Sequence, residues 1–318
     1  MQAVFLDTQT LGQDIDLQAL DALGLTWQHF DNSQPDDVAM RIRDAEVVLA
    51  NKAIIDRDAI AQAKHLKLIC IPATGTNNVD LQAARERGIP VCNCSGYGTA
   101  AVSQHVFSLI LALGVHLLEY HRAAMAGQWG KSPFFCLLDY PITELAGKTL
   151  GIVGYGTLGR AVAKLGEAFG MQILVANRPG ADTVAPDRVP LDNLLPQVDV
   201  LSLHCPLTPD TENLIGAREL GLMRDNALLI NCARGGVVDE HALADALRAG
   251  TLGGAGVDVL TEEPPINGNV LLDPTIPRLI ITPHSAWGSR EARQRIVSIT
   301  ADNIRASLAG QPQNVVNP

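Results

Sequence analysis

The sequence predicts an α/β protein made of two doubly wound parallel-sheet halves, and three observations predict it. Short β-prone apolar runs alternate with helical stretches before residue 98 and again after residue 148, the pattern of parallel strands joined by covering helices. A glycine turn, Gly154-Tyr155-Gly156-Thr157-Leu158-Gly159, stands between a β-prone run and a helical one where the second series begins. At 318 residues the chain is long for a single core, so two domains with a cleft between them are expected.

Residues 3–7, 47–51, 68–73 and 90–93 read as the strands of the first half. Residues 56–63 and 80–87 read as helices between them, the second closed by Gly88. The pattern is faintest over residues 14–40. From Thr99 to about Ala126, Val102, Val106, Leu109, Ile110, Leu113 and Leu117 recur at helical spacing and predict one long helix. His105, His116 and His121 lie on or near it, without a carboxylate partner at metal-ligand spacing. Residues 127–141, rich in aromatics and proline, predict an irregular covering loop.

The second series opens with residues 149–159, TLGIVGYGTLG. Leu150, Ile152 and Val153 supply a strand, residues 160–169 a helix, and residues 172–176 the next strand. Gly154 allows a tight turn, Gly156 lets backbone approach a pyrophosphate, and Gly159 lets helix and strand pack closely. The helix's free N–H groups and its dipole favour phosphate charge. This arrangement predicts a dinucleotide site. Strands follow at 200–204, 227–232, 255–259 and 279–282, with helices at 240–249, closed by Gly250, and 291–308, closed near Gly310.

Composition narrows the function classes. The chain is 47% hydrophobic and 18% charged, an ordinary globular balance, and no uninterrupted apolar run predicts a membrane span. MQAVFLD has strand character and no signal-peptide pattern. Net charge is −10 and the 24 Lys and Arg are scattered, which argues against nucleic acid as a partner. Most of Cys70, Cys92, Cys94, Cys136, Cys205 and Cys232 sit in apolar runs, as reduced core thiols do, and point to a cytoplasmic protein. Cys92 and Cys94 form a CxC pair, but no second pair stands at zinc spacing, so no metal is expected.

A dinucleotide that moves hydride needs beside it a group to move a proton and a cation to orient an anionic substrate. Arg234 follows the apolar run LLINCA, Glu263 lies in DVLTEEPP and His284 in TPHSAWGS, each just past a predicted strand. Ligands of open α/β sheets gather beyond the carboxyl ends of the strands, so these three side chains are placed to share one crevice.

The segments GYGTLG, NCARGGVVDE (231–240), DVLTEEPP (258–265) and PHSAW (283–287) together resemble the D-isomer-specific 2-hydroxyacid dehydrogenases. ATGTNNVD (73–80) and NCSGYGTAAVSQHVF (93–107) extend the resemblance over nearly the whole chain. It is nearest to the glycerate dehydrogenase/hydroxypyruvate (glyoxylate) reductase branch.

The resemblance implies a flavodoxin-like substrate domain, residues 1–98 and 287–318, with an inserted NAD(P)-binding Rossmann domain, residues 99–286. It implies reduction of a small 2-oxo acid to the D-2-hydroxy acid, with His284 as the acid, Glu263 stabilising its imidazolium, and Arg234 binding the carboxylate and polarising the carbonyl. Backbone N–H groups at Thr74 and Gly75 would also meet the carboxylate, and Trp287 and Trp129 would wall the pocket. Cofactor contacts are implied for Val102, Gly154, Gly156, Thr157, Leu158, Gly159, Asn177, Arg178, Cys205, Pro206, Cys232, Ala233, Arg234, Asp258, His284 and Ala286, with Leu207 and Thr208 nearby. Asp258 would bond the nicotinamide carboxamide. The helical segment from Thr99 is where members of this family dimerise, so a homodimer is implied.

Residues 172–176 lead into Asn177-Arg178-Pro179 with no acid to accept from the adenosine ribose. A neutral Asn removes repulsion of a 2′-phosphate, and Arg178 offers a fork for it, so NADPH is expected to be preferred, with NADH possible. Alternatives remain inside and outside this chemistry: a phosphoglycerate or branched 2-oxo acid dehydrogenase, or an NAD-sensing co-repressor. Formate dehydrogenase would carry glutamine where Glu263 stands.

Overall fold

In the computed structural model, which describes residues 1–318, the alternation resolves into two units, residues 1–98 with 288–318 and residues 99–287. The first holds parallel strands β1 (Gln2–Phe5), β2 (Thr26–His29), β3 (Val47–Leu49), β4 (Leu68–Ile71) and β5 (Val91–Asn93), in the order β2-β1-β3-β4-β5. Every residue of β3 and β4 is buried, as expected of strands covered on both faces. Helices α1 (Gln18–Asp21), α2 (Pro35–Ile42), α3 (Arg57–Gln62) and α4 (Leu81–Glu86) complete this part. Asp56 and Asp80 cap α3 and α4 by accepting from the N–H groups of Ala59 and Ala83. Residues 14–40 read faintly because α1 has only four residues and β2 is a largely exposed edge strand.

The second unit begins with α5 (Thr99–Gly114) and α6 (Leu117–Met125). The single long helix expected over residues 99–126 is therefore corrected to two helices bent by 57°. A continuous helix would use the carbonyls of Leu113 and Gly114 internally. Here Arg278 Nη2 donates to Leu113 O (3.2 Å) and the N–H of Thr143 to Gly114 O (2.9 Å). His116, at φ 49°, takes the left-handed conformation at the break, and its ring meets Arg278 and stacks on Tyr140. No single helix is long and apolar enough to cross a membrane.

Six parallel strands follow: β6 (Thr149–Val153), β7 (Gln172–Val175), β8 (Val200–Leu203), β9 (Leu228–Asn231), β10 (Gly254–Val257) and β11 (Leu279–Ile281). Their order is β11-β10-β9-β8-β6-β7, so the direction of winding reverses between β6 and β8. One apolar layer packs α5 and α7 (Thr157–Ala168) on the sheet, through Val106, Ile110, Val162 and Ile152. The other packs α8 (Leu191–Leu194), α9 (Ala217–Leu220) and α10 (Glu240–Ala249), through Leu194, Leu220, Leu243 and Leu229.

The chain then returns to the first unit as α11 (Arg290–Leu308), capped by Ser289. Its buried stripe includes Ile296, Val297, Thr300 and Ile304, and it packs against β4 and α1. Asn303 donates to Asn93 O (2.9 Å), and Thr300 Oγ1 lies 3.3 Å from Cys94 Sγ. The tail closes the free edge of β5: Asn317 accepts from the N–H of Val91 (2.7 Å) and donates to Ile89 O (2.9 Å). All six cysteines are free, and burial pushes the thiols of Cys92 and Cys94 up to about 11.

Candidate active site

The glycine turn folds as its residues require. Gly154 sits at φ 91°, and a Cβ there would fall 2.6 Å from the His204–Cys205 peptide. A Cβ on Gly159 would lie 2.1 Å from Gly154 O, so any side chain would force α7 away from β6. Gly156, the N-cap of α7, faces open space, and no side chain caps the helix. The first-turn N–H groups are thus left for an anion, and the turn fits the pyrophosphate of a dinucleotide.

Beyond β6 and β7 a cavity of about 310 Å³ is lined by Val153, Ala176, Asn177 and Arg178 among others. Asn177, expected at the ribose, commits its amide to its own loop: Nδ2 donates to Thr183 O (3.0 Å) and Oδ1 accepts from the N–H of Ala185 (3.3 Å). Arg178 is exposed on the wall. Cys205, Cys232, Ala233 and Ala286 are buried and Leu207 is half exposed, all in the same unit. Val102 belongs to the apolar layer under α5, and Leu158 packs against it.

Three neighbouring strands, β9, β10 and β11, bring the polar residues together at one sheet edge, because Asn231, Val257 and Ile281 stand in register. After β9, the buried Asn231 builds the turn that presents Arg234: its Nδ2 donates to Arg234 O (3.0 Å) and its Oδ1 accepts from the N–H of Ala233 (3.1 Å). After β10, Glu263 Oε1 accepts from the N–H of Leu260 (2.8 Å), leaving Oε2 to meet His284 Nδ1 at 2.6 Å. A carboxylate at Nδ1 fixes Nδ1–H as the donor and leaves Nε2 to exchange the proton.

The turn after β11 that carries His284 is held by Asp258. This carboxylate, 1% exposed, accepts from the N–H groups of Ser285 (2.9 Å) and Ala286 (3.0 Å) and from the hydroxyl of Thr282. His284 itself is at φ 49°, and its N–H donates to Asp258 O (2.7 Å). His105 Nε2 meets the same Thr282 hydroxyl at 2.9 Å. Gly235 locks the Arg234 turn to the Glu263 loop: a Cβ there would lie 1.9 Å from Leu260 O. From α10, Glu240 holds that loop from behind, accepting from the N–H of Thr261 (2.8 Å) and from Asn269 Nδ2 (2.7 Å).

Sequence reasoning missed Asn231, Gly235, Glu240 and His105. Asn231, Gly235 and Glu240 lie inside the NCARGGVVDE segment but show their parts only once the loops are folded. Trp287 is half buried against the layer under α5, whereas Trp129 is 56% exposed, its indole N–H donating to Phe135 O. Thr74 and Gly75 follow β4 in the first unit, where Thr74 Oγ1 donates to Cys94 O (2.9 Å) and Asn93 Nδ2 donates to Thr74 O (2.8 Å).

Beneath the glycine turn lies His204, whose Nε2 meets Ser202 Oγ at 2.9 Å while its buried Nδ1 has no partner. Burial pushes this imidazole down to about 4. Below pH 6.5 the unfolded chain therefore binds a proton that the folded chain refuses. Stability from this group is complete above about pH 6.5 and falls as pH drops toward 4, by about 3 kcal/mol in all. Calorimetric melts from pH 7 to 4.5 should show His204→Gln losing less stability over this range than the wild type; parallel losses would contradict the assignment.

Residues 107–286 match the family model described as D-isomer specific 2-hydroxyacid dehydrogenase, NAD binding domain. The chain is 47% identical over 282 residues to a glycerate dehydrogenase of Methylorubrum extorquens, covering 89% of this chain and 88% of that one. It is 37% identical to a hydroxypyruvate reductase of Blautia hydrogenotrophica, over the full length of both. The crystal structure of an NADPH-dependent glyoxylate/hydroxypyruvate reductase from Sinorhizobium meliloti, in complex with NADP and malonate, superposes with a TM-score of 0.79 at 26% identity, covering 97% of this chain and 93% of that one.

Proposed function

This chain belongs to the D-isomer-specific 2-hydroxyacid dehydrogenase family of NAD(P)-dependent oxidoreductases, and from that premise we propose that it reduces hydroxypyruvate and glyoxylate to D-glycerate and glycolate. The observation that carries the reading is the 2.6 Å Glu263–His284 pair, with Arg234 at the end of a strand in the same sheet. A bound NADPH or NADH supplies the hydride. Arg234 pairs with the substrate carboxylate and draws electron density from its carbonyl. His284 gives the proton on Nε2 to the carbonyl oxygen, and Glu263 stabilises the imidazolium until transfer. Trp287 walls the pocket.

In the same reading residues 99–286 bind the dinucleotide. Residues 1–98 and 287–318 form the substrate domain. NADPH is the preferred cofactor, supported by Arg178 on the cavity wall and by the lack of an acid after β7. A homodimer is supported by the exposed Leu117, Met125, Phe134, Phe135 and Leu138 on and after α6. The free thiols suit a cytoplasmic enzyme, and 34 acidic against 24 basic residues suit one without nucleic acid or membrane partners.

Initial rates followed at the nicotinamide absorbance, with hydroxypyruvate, glyoxylate, a phosphorylated and a branched 2-oxo acid and each cofactor, test the reading. The highest kcat/KM is expected for hydroxypyruvate or glyoxylate with NADPH. Turnover confined to the phosphorylated or branched acid would place the chain in another branch, and no turnover with either cofactor would favour a dinucleotide-sensing role. Glu263→Gln removes the carboxylate that meets His284 Nδ1, so kcat for reduction should fall while cofactor affinity is kept. Wild-type kcat in the glutamine variant would contradict the pairing.

A further inference from the structure

Asp210, from the turn after β8, lines the same cavity as Arg178, a placement that its distance in sequence from β7 conceals. That turn is fixed independently of any ligand: Thr211 Oγ1 accepts from the N–H of Thr208 (2.7 Å) and donates to Pro206 O (2.7 Å). Across from it, Gly180 is at φ 71°, and a Cβ there would lie 2.5 Å from the Asp210 carboxyl carbon. The carboxylate reaches the cavity wall because position 180 has no side chain. The polar side chains of the wall are Asn177, Arg178 and Asp210, and both amide atoms of Asn177 are engaged within its loop. The remaining walls are mostly apolar, among them Val184, Leu191 and Leu214, and suit the faces of an adenine.

We propose that Asp210 is a specificity-determining residue, the ribose acceptor that β7 lacks, so that one cavity reads both dinucleotides. Asp210 accepts from the adenosine ribose hydroxyls when NADH binds, and Arg178 pairs with the 2′-phosphate when NADPH binds. The two residues oppose each other: the carboxylate repels a 2′-phosphate and limits the preference that the guanidinium creates. The inference rests on the proposed use of both cofactors, and it assigns to two residues what the sequence assigns to Arg178 alone.

Direct binding tests it without turnover. Dissociation constants of NADH and NADPH are measured by nicotinamide fluorescence for the full chain and for Asp210→Ala, Asp210→Asn and Arg178→Ala, with a melting curve for each. Asp210→Ala should weaken NADH about tenfold, the usual scale for losing a hydrogen bond to a charged group, and should not weaken NADPH. Asp210→Asn keeps an acceptor oxygen without the charge and should retain most NADH affinity while binding NADPH more tightly. Arg178→Ala should weaken NADPH alone. Equal loss of both dinucleotides in Asp210→Ala, or unchanged NADH affinity, overturns the proposal. Failure of the wild type to bind either dinucleotide would instead overturn the cofactor reading, so the two failures are distinguishable.

Discussion

Replacing His284 with alanine is expected to lower kcat for hydroxypyruvate reduction by about 10²–10⁴, the usual contribution of a positioned acid, which corresponds to roughly 3–5 kcal/mol of barrier. The orientation of the ring sets this effect. Glu263 Oε2 stands 2.6 Å from Nδ1, so the proton the substrate oxygen receives comes from Nε2. The imidazole does not build the glycine turn and does not hold its own loop, which Asp258 fixes through the backbone of Ser285 and Ala286. Cofactor affinity measured by fluorescence should therefore survive the substitution. A variant that keeps near wild-type kcat would remove His284 from the reaction.

Arg234→Lys is expected to lower kcat/KM by about tenfold to a hundredfold, although charge is kept. A guanidinium meets carboxylate and carbonyl with a planar fork, whereas an ammonium is a single point of charge. Losing one charge-assisted hydrogen bond costs about 1.5–3 kcal/mol, which sets the range. Both kcat and KM should suffer, because the same group binds the ground state and polarises the carbonyl. The turn itself should hold, since Asn231 fixes it through backbone atoms of Ala233 and Arg234. Wild-type kcat/KM in the lysine variant, measured with a saturating cofactor, would show that Arg234 is not the anchor.

Both sheets are legible in the sequence because buried parallel strands leave apolar runs that need no distant information. The glycine turn is legible for a related reason: the demands at Gly154 and Gly159 are local and steric. The break between α5 and α6 is not legible, because Arg278, which stabilises it, lies 162 residues from His116. The α5 stripe meanwhile continues its apolar period to Leu117. Arg234, Glu263 and His284 stand out as polar residues after strands, but what aims them does not. Asp258 reads as a cofactor contact, yet its oxygens hold the His284 turn, a part visible only when residues 27 and 28 positions away fold back on it. Asp210 is hidden in the same way, since its place depends on the conformation at Gly180.

The first unit is written in two pieces, and during synthesis that becomes a matter of time. Its sheet strands emerge from the ribosome first, but α11 and the tail that closes β5 follow only after the roughly 190 residues of the second unit. At about 5–20 residues per second this is a wait on the order of 10–40 s. Throughout it, the sheet face that Ile296 and Thr300 will cover stays open, and so does the β5 edge that Asn317 will close. An open face and an unpaired edge are what aggregation and chaperones both recognise. The nascent chain therefore meets its greatest hazard while the dinucleotide unit is being made, and yield in a cell should depend on chaperone supply more than the finished protein's stability would suggest.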